Sequence, residues 1–141
     1  MRRVLLHLMM VPAVFWLTGC VVVVGNKTRH PRRPGGSCVP VDGVIEEINA
    51  AGKLSFEPSR KDAYERIAKR DGLSDAAQEH LVNAVFDNLS FEPSKRDVLM
   101  ALISNPCFSP VGRQAILTQL DRLSFEPTKS EILEAISRRS P

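Results

Sequence analysis

Leu54-Ser55-Phe56-Glu57-Pro58-Ser59 is the first of three copies of one hexapeptide in this chain of 141 residues. The second copy is Leu89-Ser90-Phe91-Glu92-Pro93-Ser94, and the third is Leu123-Ser124-Phe125-Glu126-Pro127-Thr128. Successive copies begin 35 and 34 residues apart. A fixed period of this size is typical of stacked supersecondary units that share one continuous core. The sequence therefore predicts a body of three repeats.

Each hexapeptide is predicted to form a corner between two helices. Proline disfavours helical angles in the residue before it, so the corner glutamate should be extended. The Ser or Thr after the proline should then cap the next helix, with an acid three residues further on as in a capping box. The pairs are Ser59/Asp62, Ser94/Asp97 and Thr128/Glu131. The corner Leu and Phe are expected to fill the core.

Apolar residues recur at helical spacing on both sides of each corner. After the corners they are Ala63/Val98/Ile132, Tyr64/Leu99/Leu133 and Ile67/Leu102/Ile136. Before the corners, Ser74 or Asp75 and Ser109-Pro110 mark two helix starts. No segment alternates apolar and polar residues long enough to indicate a strand. We predict an all-α domain at residues 43–141, in which three helix-corner-helix repeats form a small six-helix, solenoid-like bundle.

The amino terminus has the features of an export signal. Arg2 and Arg3 precede an apolar stretch at residues 4–17, which is short for a membrane-spanning helix. The stretch ends in Leu17-Thr18-Gly19-Cys20, which resembles the bacterial lipoprotein box. The resemblance implies a signal peptide at residues 1–19 and a lipid anchor on Cys20. The alternative is an uncleaved anchor, because four valines after Cys20 lengthen the apolar run to about twenty-one residues.

The same resemblance implies a location in the bacterial cell envelope. Residue 21 is Val and not Asp, so the sorting rule of Gram-negative lipoproteins implies the outer membrane, facing the periplasm or the cell surface. Residues 20–42 are predicted to be a flexible linker, because three prolines and three glycines interrupt any apolar period there. Its basic cluster, Lys27 to Arg33, is either a solvated tether or a site of attraction to anionic lipid headgroups.

The charge distribution argues against a nucleic-acid partner. The formal net charge is +3, yet all sixteen acidic residues lie at or after Asp42, together with thirteen of the nineteen Lys and Arg residues. The body therefore carries a net charge of −3, and the basic excess belongs to the leader and the linker. The basic pI of the chain is therefore no reason to predict a nucleic-acid-binding domain.

The repeats themselves resemble the domain of unknown function 4476 family, which occurs in bacterial lipoproteins and other secreted or membrane-linked proteins. Its members repeat a corner of the Phe-x-x-Ser type followed by a leucine-rich helix. A short Phe-Ser or Phe-Thr segment opens the preceding helix, as Cys107-Phe108-Ser109 does in this chain. The resemblance covers about Val44 to Arg139 and implies no enzymatic activity.

Two cysteines remain if Cys20 is lipidated, namely Cys38 and Cys107. In an oxidising compartment an even pair suggests a disulfide, which would close a loop of about 70 residues and stabilise the fold by about 4 kcal/mol. Three alternatives stay open: a buried Cys107 with a free Cys38, a disulfide to another chain, and a pair that cycles as an envelope thiol/disulfide redox enzyme.

The remaining chemistry of the body is sparse. His80 is its only histidine, and no neighbouring ligands in the sequence complete a metal site or suggest a cofactor. No catalytic constellation is visible, so we predict a tethered protein-interaction or structural module and not an enzyme, with an unidentified envelope partner. Glu57, Glu92 and Glu126 are candidates for an acidic row that binds a basic partner, the alternative being that they are simply solvated.

Overall fold

The computed structural model describes residues 43–139, and these residues are entirely helical apart from turns. The six α-helices are α1 (Val44–Gly52), α2 (Glu57–Ala68), α3 (Asp75–Asn88), α4 (Glu92–Ile103), α5 (Pro110–Gln119) and α6 (Glu126–Arg139). A 3₁₀ turn, Leu120–Arg122, follows α5. Residues 43–139 contain no strand, so the predicted all-α fold is confirmed. The predicted signal peptide at 1–19 and the linker at 20–42, with Cys20 and Cys38, lie outside the described residues.

The helices form two layers. Helices α1, α3 and α5 pack side by side in one layer, and α2, α4 and α6 pack side by side in the other. The layers are joined because α2 contacts both α1 and α3, and α3 also contacts α4. Each repeat thus adds one helix to each layer, which is the arrangement of a short helical solenoid.

The predicted apolar stripes form the core between the layers, except that Leu133 in the last helix is exposed. Ile48, Leu81, Leu99, Ile116 and Ile132 are among the side chains that are completely buried. The two predicted helix starts are also confirmed, because the Ser74 hydroxyl accepts the Ala77 N–H and the Ser109 hydroxyl accepts the Gly112 N–H. Hydroxyl caps of this kind satisfy backbone donors that the first helical turn leaves without a partner.

The predicted start of the helices after the corners is wrong by three residues, because the N-cap is the corner Phe and not the Ser or Thr after the proline. Helices α2, α4 and α6 begin at the corner glutamate, and the corner Phe before it accepts the first helical hydrogen bond from Arg60, Lys95 and Lys129 in turn. The glutamate is thus helical and not extended. A proline fits in the first turn because its missing N–H would have had no helical partner there. The Ser or Thr after it is the third residue of the helix, within the first turn, so no Ser caps α2 or α4.

The expectation that every corner Phe fills the core is also wrong. Phe56, Phe91 and Phe125 are 75%, 66% and 61% exposed. The reason is the same shift in the helix start, since the Phe is the extended residue that turns the chain at the edge of the stack. Leu89 and Leu123 are buried as expected, but Leu54 is 41% exposed, because residues 43–139 contain no earlier repeat to lie against it.

Candidate interaction surface along the repeat corners

The corner glutamates connect successive repeats. The carboxylate of Glu57 accepts the backbone N–H of Ser90 at 3.0 Å and that of Phe91 at 2.9 Å. The next glutamate repeats the contact one unit later, because Glu92 accepts the N–H of Ser124 and, at 3.1 Å, that of Phe125. The second and third corners therefore each have their backbone held by the glutamate of the corner before. We call this series of contacts the glutamate ladder.

The position of Glu57 favours its charged form. Desolvation is the largest influence and raises the pKa of Glu57, but hydrogen bonds from Phe91, Ser90 and Ser94 and the nearby charge of Arg60 lower it. The net result is a pKa below the ordinary value. A carboxylate that accepts two backbone donors is stabilised as an anion, so the contact weakens when the carboxylate is protonated.

The last glutamate of the ladder has no further corner to hold. The Glu126 carboxylate is 80% exposed and accepts a hydrogen bond from Lys129 Nζ at 2.8 Å, within its own helix. Two of the three carboxylates in the predicted acidic row are therefore engaged with backbone donors. Glu57 and Glu92 are therefore not available as free ligands for a partner, whereas the Glu126 carboxylate is still accessible to solvent.

The three Phe side chains form an exposed apolar edge. The backbone of Phe91 is held on both sides, since its N–H donates to Glu57 and its carbonyl accepts the Lys95 N–H at 3.1 Å. The ring takes no part in either contact and lies mostly in solvent. The corner prolines Pro58, Pro93 and Pro127 are exposed as well. We call the three exposed Phe-x-Pro segments the phenylalanine edge.

Two of the three acids predicted to complete capping boxes, Asp97 and Glu131, instead join neighbouring repeats. Asp97 lies 3.3 Å from Lys61 Nζ, and Glu131 lies 3.6 Å from the Arg96 guanidinium. Desolvation raises the pKa of Asp97, but hydrogen bonds from Arg96 and Lys61 outweigh it, and the pKa is lowered overall. These ion pairs repeat with the same period as the glutamate ladder, so they mark a second regular contact between α2, α4 and α6.

The turn that carries Cys107 is held by two buried amide side chains. Gln78 donates to the carbonyls of Leu73 and Cys107 at 3.0 and 2.8 Å, and accepts the Ser109 N–H at 2.9 Å.

Asn105 holds the same turn with the other amide side chain. It accepts the Cys107 N–H at 2.8 Å, and its own amide donates to two carbonyls at the end of α2, those of Ala68 and Arg70. The turn is thus fixed by fully satisfied buried polar groups.

Cys107 itself is disulfide-bonded. It is the only cysteine among residues 43–139, so its partner lies outside the described residues. The specific pairing with Cys38 stays a prediction.

His80, the only histidine among residues 43–139, contacts a neighbouring helix. His80 Nε2 lies 2.7 Å from Asn49 Oδ1, a contact between two helices of the same layer. No three His, Cys, Asp or Glu side chains of residues 43–139 come together in a way that could hold a metal ion. Within the same residues, no helix has the length and apolar character needed to cross a bilayer.

Part of this surface could be predicted from the sequence. The recurrence of Phe and Glu in every corner was visible, but their environments were not. The signal for the ladder was the glutamate directly before the proline, a position where an acid interacts well with a helix N-terminus. No sequence pattern identified Gln78 or Asn105 as the residues that hold the Cys107 turn.

Comparisons with protein-family models, with curated proteins and with solved structures found no match to this chain. The resemblances to the lipoprotein box and to the 4476 family therefore stay predictions from the residues quoted above.

Proposed function

We propose that this protein is an envelope lipoprotein whose helical repeats act as a protein-interaction module, with the phenylalanine edge as its docking surface. The lipid anchor on Cys20 would attach the module to a membrane. The module would then bind an apolar segment of another envelope protein. The proposal involves no chemical reaction.

The observation that carries the proposal is the exposure of the same aromatic residue at the same corner in all three repeats. The corner needs only a backbone N–H and a backbone carbonyl at that position, and both are available from almost any residue. A solvated corner would be served equally well by a polar side chain. Large apolar side chains exposed on successive corners indicate an interaction surface, because monomeric proteins rarely expose such groups together.

The character of the edge indicates the chemistry of the partner. Cations lie four residues after each Phe, but they are engaged: Arg60 donates to the Leu54 and Asn88 carbonyls, Lys95 lies over the Phe86 ring, and Lys129 pairs with Glu126. The surface of the phenylalanine edge therefore consists mainly of aromatic rings and prolines, and its cations already have partners. A partner segment with apolar side chains that repeat from corner to corner fits it, because aromatic anchors dominate many interfaces.

Site-specific photo-crosslinking in intact cells tests the proposal. A photoreactive residue replaces Phe91, and the matched control replaces Glu79, which is exposed on α3 in the other layer. We expect one discrete protein adduct from position 91 and none from position 79. The adduct should disappear when Phe56 and Phe125 are changed to Ser while the helical circular dichroism is retained. Equal labelling from both positions, or an adduct that survives these changes, would contradict the proposal.

The anchor is tested separately. Cys20→Ser should abolish incorporation of labelled palmitate, whereas Cys107→Ser should leave it unchanged. Labelling that persists in Cys20→Ser would refute the lipid attachment without bearing on the phenylalanine edge.

A further inference from the structure

The two ends of the repeat stack are complementary to each other. We propose that copies of this chain associate head to tail, with the α6 end of one copy docking against the α1 end of the next as though the first repeat were a fourth. This goes beyond the proposed partner binding, because it uses the ends of the stack and not its phenylalanine edge.

The polar groups of the two ends are the unused halves of the glutamate ladder. At the α6 end, Glu126 is a corner carboxylate without a following corner, and it is mostly exposed. At the α1 end, the backbone N–H groups of Ser55 and Phe56 donate to no acceptor among residues 43–139. The equivalent donors of the second and third corners are held by Glu57 and Glu92. One end thus offers the acceptor and the other end the donors of the same contact.

The apolar groups of the two ends show the same relation. Leu54 is 41% exposed, whereas its equivalents Leu89 and Leu123 are 3% and 1% exposed. Leu133 is 43% exposed, whereas its equivalents Leu99 and Tyr64 are completely buried. A further repeat at either end would cover these leucines as the internal repeats are covered. Burial of apolar surface would drive the association, and the ladder contact would set its register.

The joint between copies should be weaker than the joints inside one copy. Internal neighbours are linked by the Lys61–Asp97 and Arg96–Glu131 ion pairs. The next cation in that series is replaced by Ser130, so no equivalent ion pair would cross to Asp62 of the following copy. The association should therefore be reversible and dependent on concentration.

Head-to-tail docking uses two different surfaces, so it does not close as a two-fold dimer does. Such a heterologous contact extends into open chains unless its rotation happens to form a ring. This property gives the association a distinctive response to mutation. Blocking either end stops growth, yet two chains blocked at opposite ends still share one intact joint.

The test uses the full chain in detergent micelles, with light scattering to measure mass over a range of concentrations. Leu54→Asp and Leu133→Asp block one end each and change only side chains that are already exposed. We expect the unaltered chain to form a series of oligomers. Each variant alone should be monomeric, because its association is weakened by about tenfold or more. An equal mixture of the two variants should form a dimer. Phe91→Ser is the control and should associate like the unaltered chain, because it changes the phenylalanine edge and neither end of the stack.

A photoreactive residue at position 54 identifies the occupant of the α1 end. Crosslinked peptides from α6 of another copy would support the proposal. Peptides from residues 1–42, or from a different protein, would overturn it. A chain that stays monomeric at every concentration, or variants that do not dimerise when mixed, would overturn it as well. Because Phe91→Ser affects only the phenylalanine edge, failure of stacking and failure of partner binding are distinguishable.

Discussion

The interior corners and the terminal corners of this stack have the same sequence and different surroundings. Glu57 and Glu92 each hold the backbone of the next corner, whereas Glu126, at the same position, is exposed and pairs only with Lys129. Leu89 and Leu123 are buried, whereas Leu54 is not. The comparison shows that identical residues contribute to stability according to whether a neighbouring repeat is present to meet them.

The corner leucines should show the largest difference. Leu89→Ala and Leu123→Ala should each lower the free energy of unfolding by about 2–5 kcal/mol, because each leaves a cavity in the core. Leu54→Ala removes a half-exposed side chain and should cost less than about 1 kcal/mol. Urea unfolding of the three variants measures this. A Leu54 variant as unstable as the Leu89 variant would mean that the first corner is covered after all.

Substitution of the corner glutamates should also cost more stability at an interior corner than at the last corner, but the losses should be smaller than for the leucines. Glu92→Ala removes an acceptor for two backbone donors and should cost about 1 kcal/mol, as loss of a charged hydrogen-bond partner does at a partly solvated site. Glu126→Ala loses only an exposed pair within one helix and should change stability by less than about 0.5 kcal/mol. Thermal unfolding at equal, low protein concentration compares them. Equal losses would show that the ladder does not stabilise the fold.

Acid should weaken the contact that Glu57 makes in the glutamate ladder. The pKa of Glu57 is lowered in the folded chain, so its stabilisation is complete above the unfolded value of about 4.3 and is lost as the pH falls through the lower folded value. Glu57→Gln should therefore reduce the difference in stability between pH 7 and pH 3. Urea midpoints at the two pH values give this difference, and an unchanged difference would mean that Glu57 is not held as an anion.

The corner phenylalanines should have the smallest effect on folding. Their rings are mostly exposed and make no ladder contact, so Phe56→Ala, Phe91→Ala and Phe125→Ala should each change the free energy of unfolding by less than about 0.5 kcal/mol. A loss of several kcal/mol for Phe91→Ala would place its ring in the core and remove the main support for the phenylalanine edge.

Much of the fold could be predicted from the sequence because it depends on periodicity. The spacing of the hexapeptides, the apolar stripes and the Ser74 and Ser109 caps all act locally and are visible in one chain. The corners could not be resolved in the same way. A proline is compatible both with the extended segment before a helix and with the first turn of the helix. The sequence alone led us to the wrong one of these two positions. That shift of three residues reversed the predicted environment of every corner Phe.

The candidate site was harder to predict because it depends on contacts between repeats. The Glu57 contact with Phe91 joins residues 34 positions apart, and the role of Asp97 depends on Lys61 in the neighbouring helix. Neither follows from propensity or local pattern. Gln78 and Asn105 were missed for the same reason, since a polar residue on a helix or in a turn gives no sign that it will be buried and satisfied.

Amide hydrogen exchange of the chain at a concentration where it is monomeric tests the central claim most directly. If each corner is held by the glutamate of the preceding repeat, the amides of Phe91 and Phe125 should exchange at least about tenfold more slowly than the amide of Phe56, which has no preceding glutamate. The Glu57→Ala variant should remove the protection of Phe91 and leave that of Phe125. Equal exchange at all three corners of the unaltered chain would contradict the account.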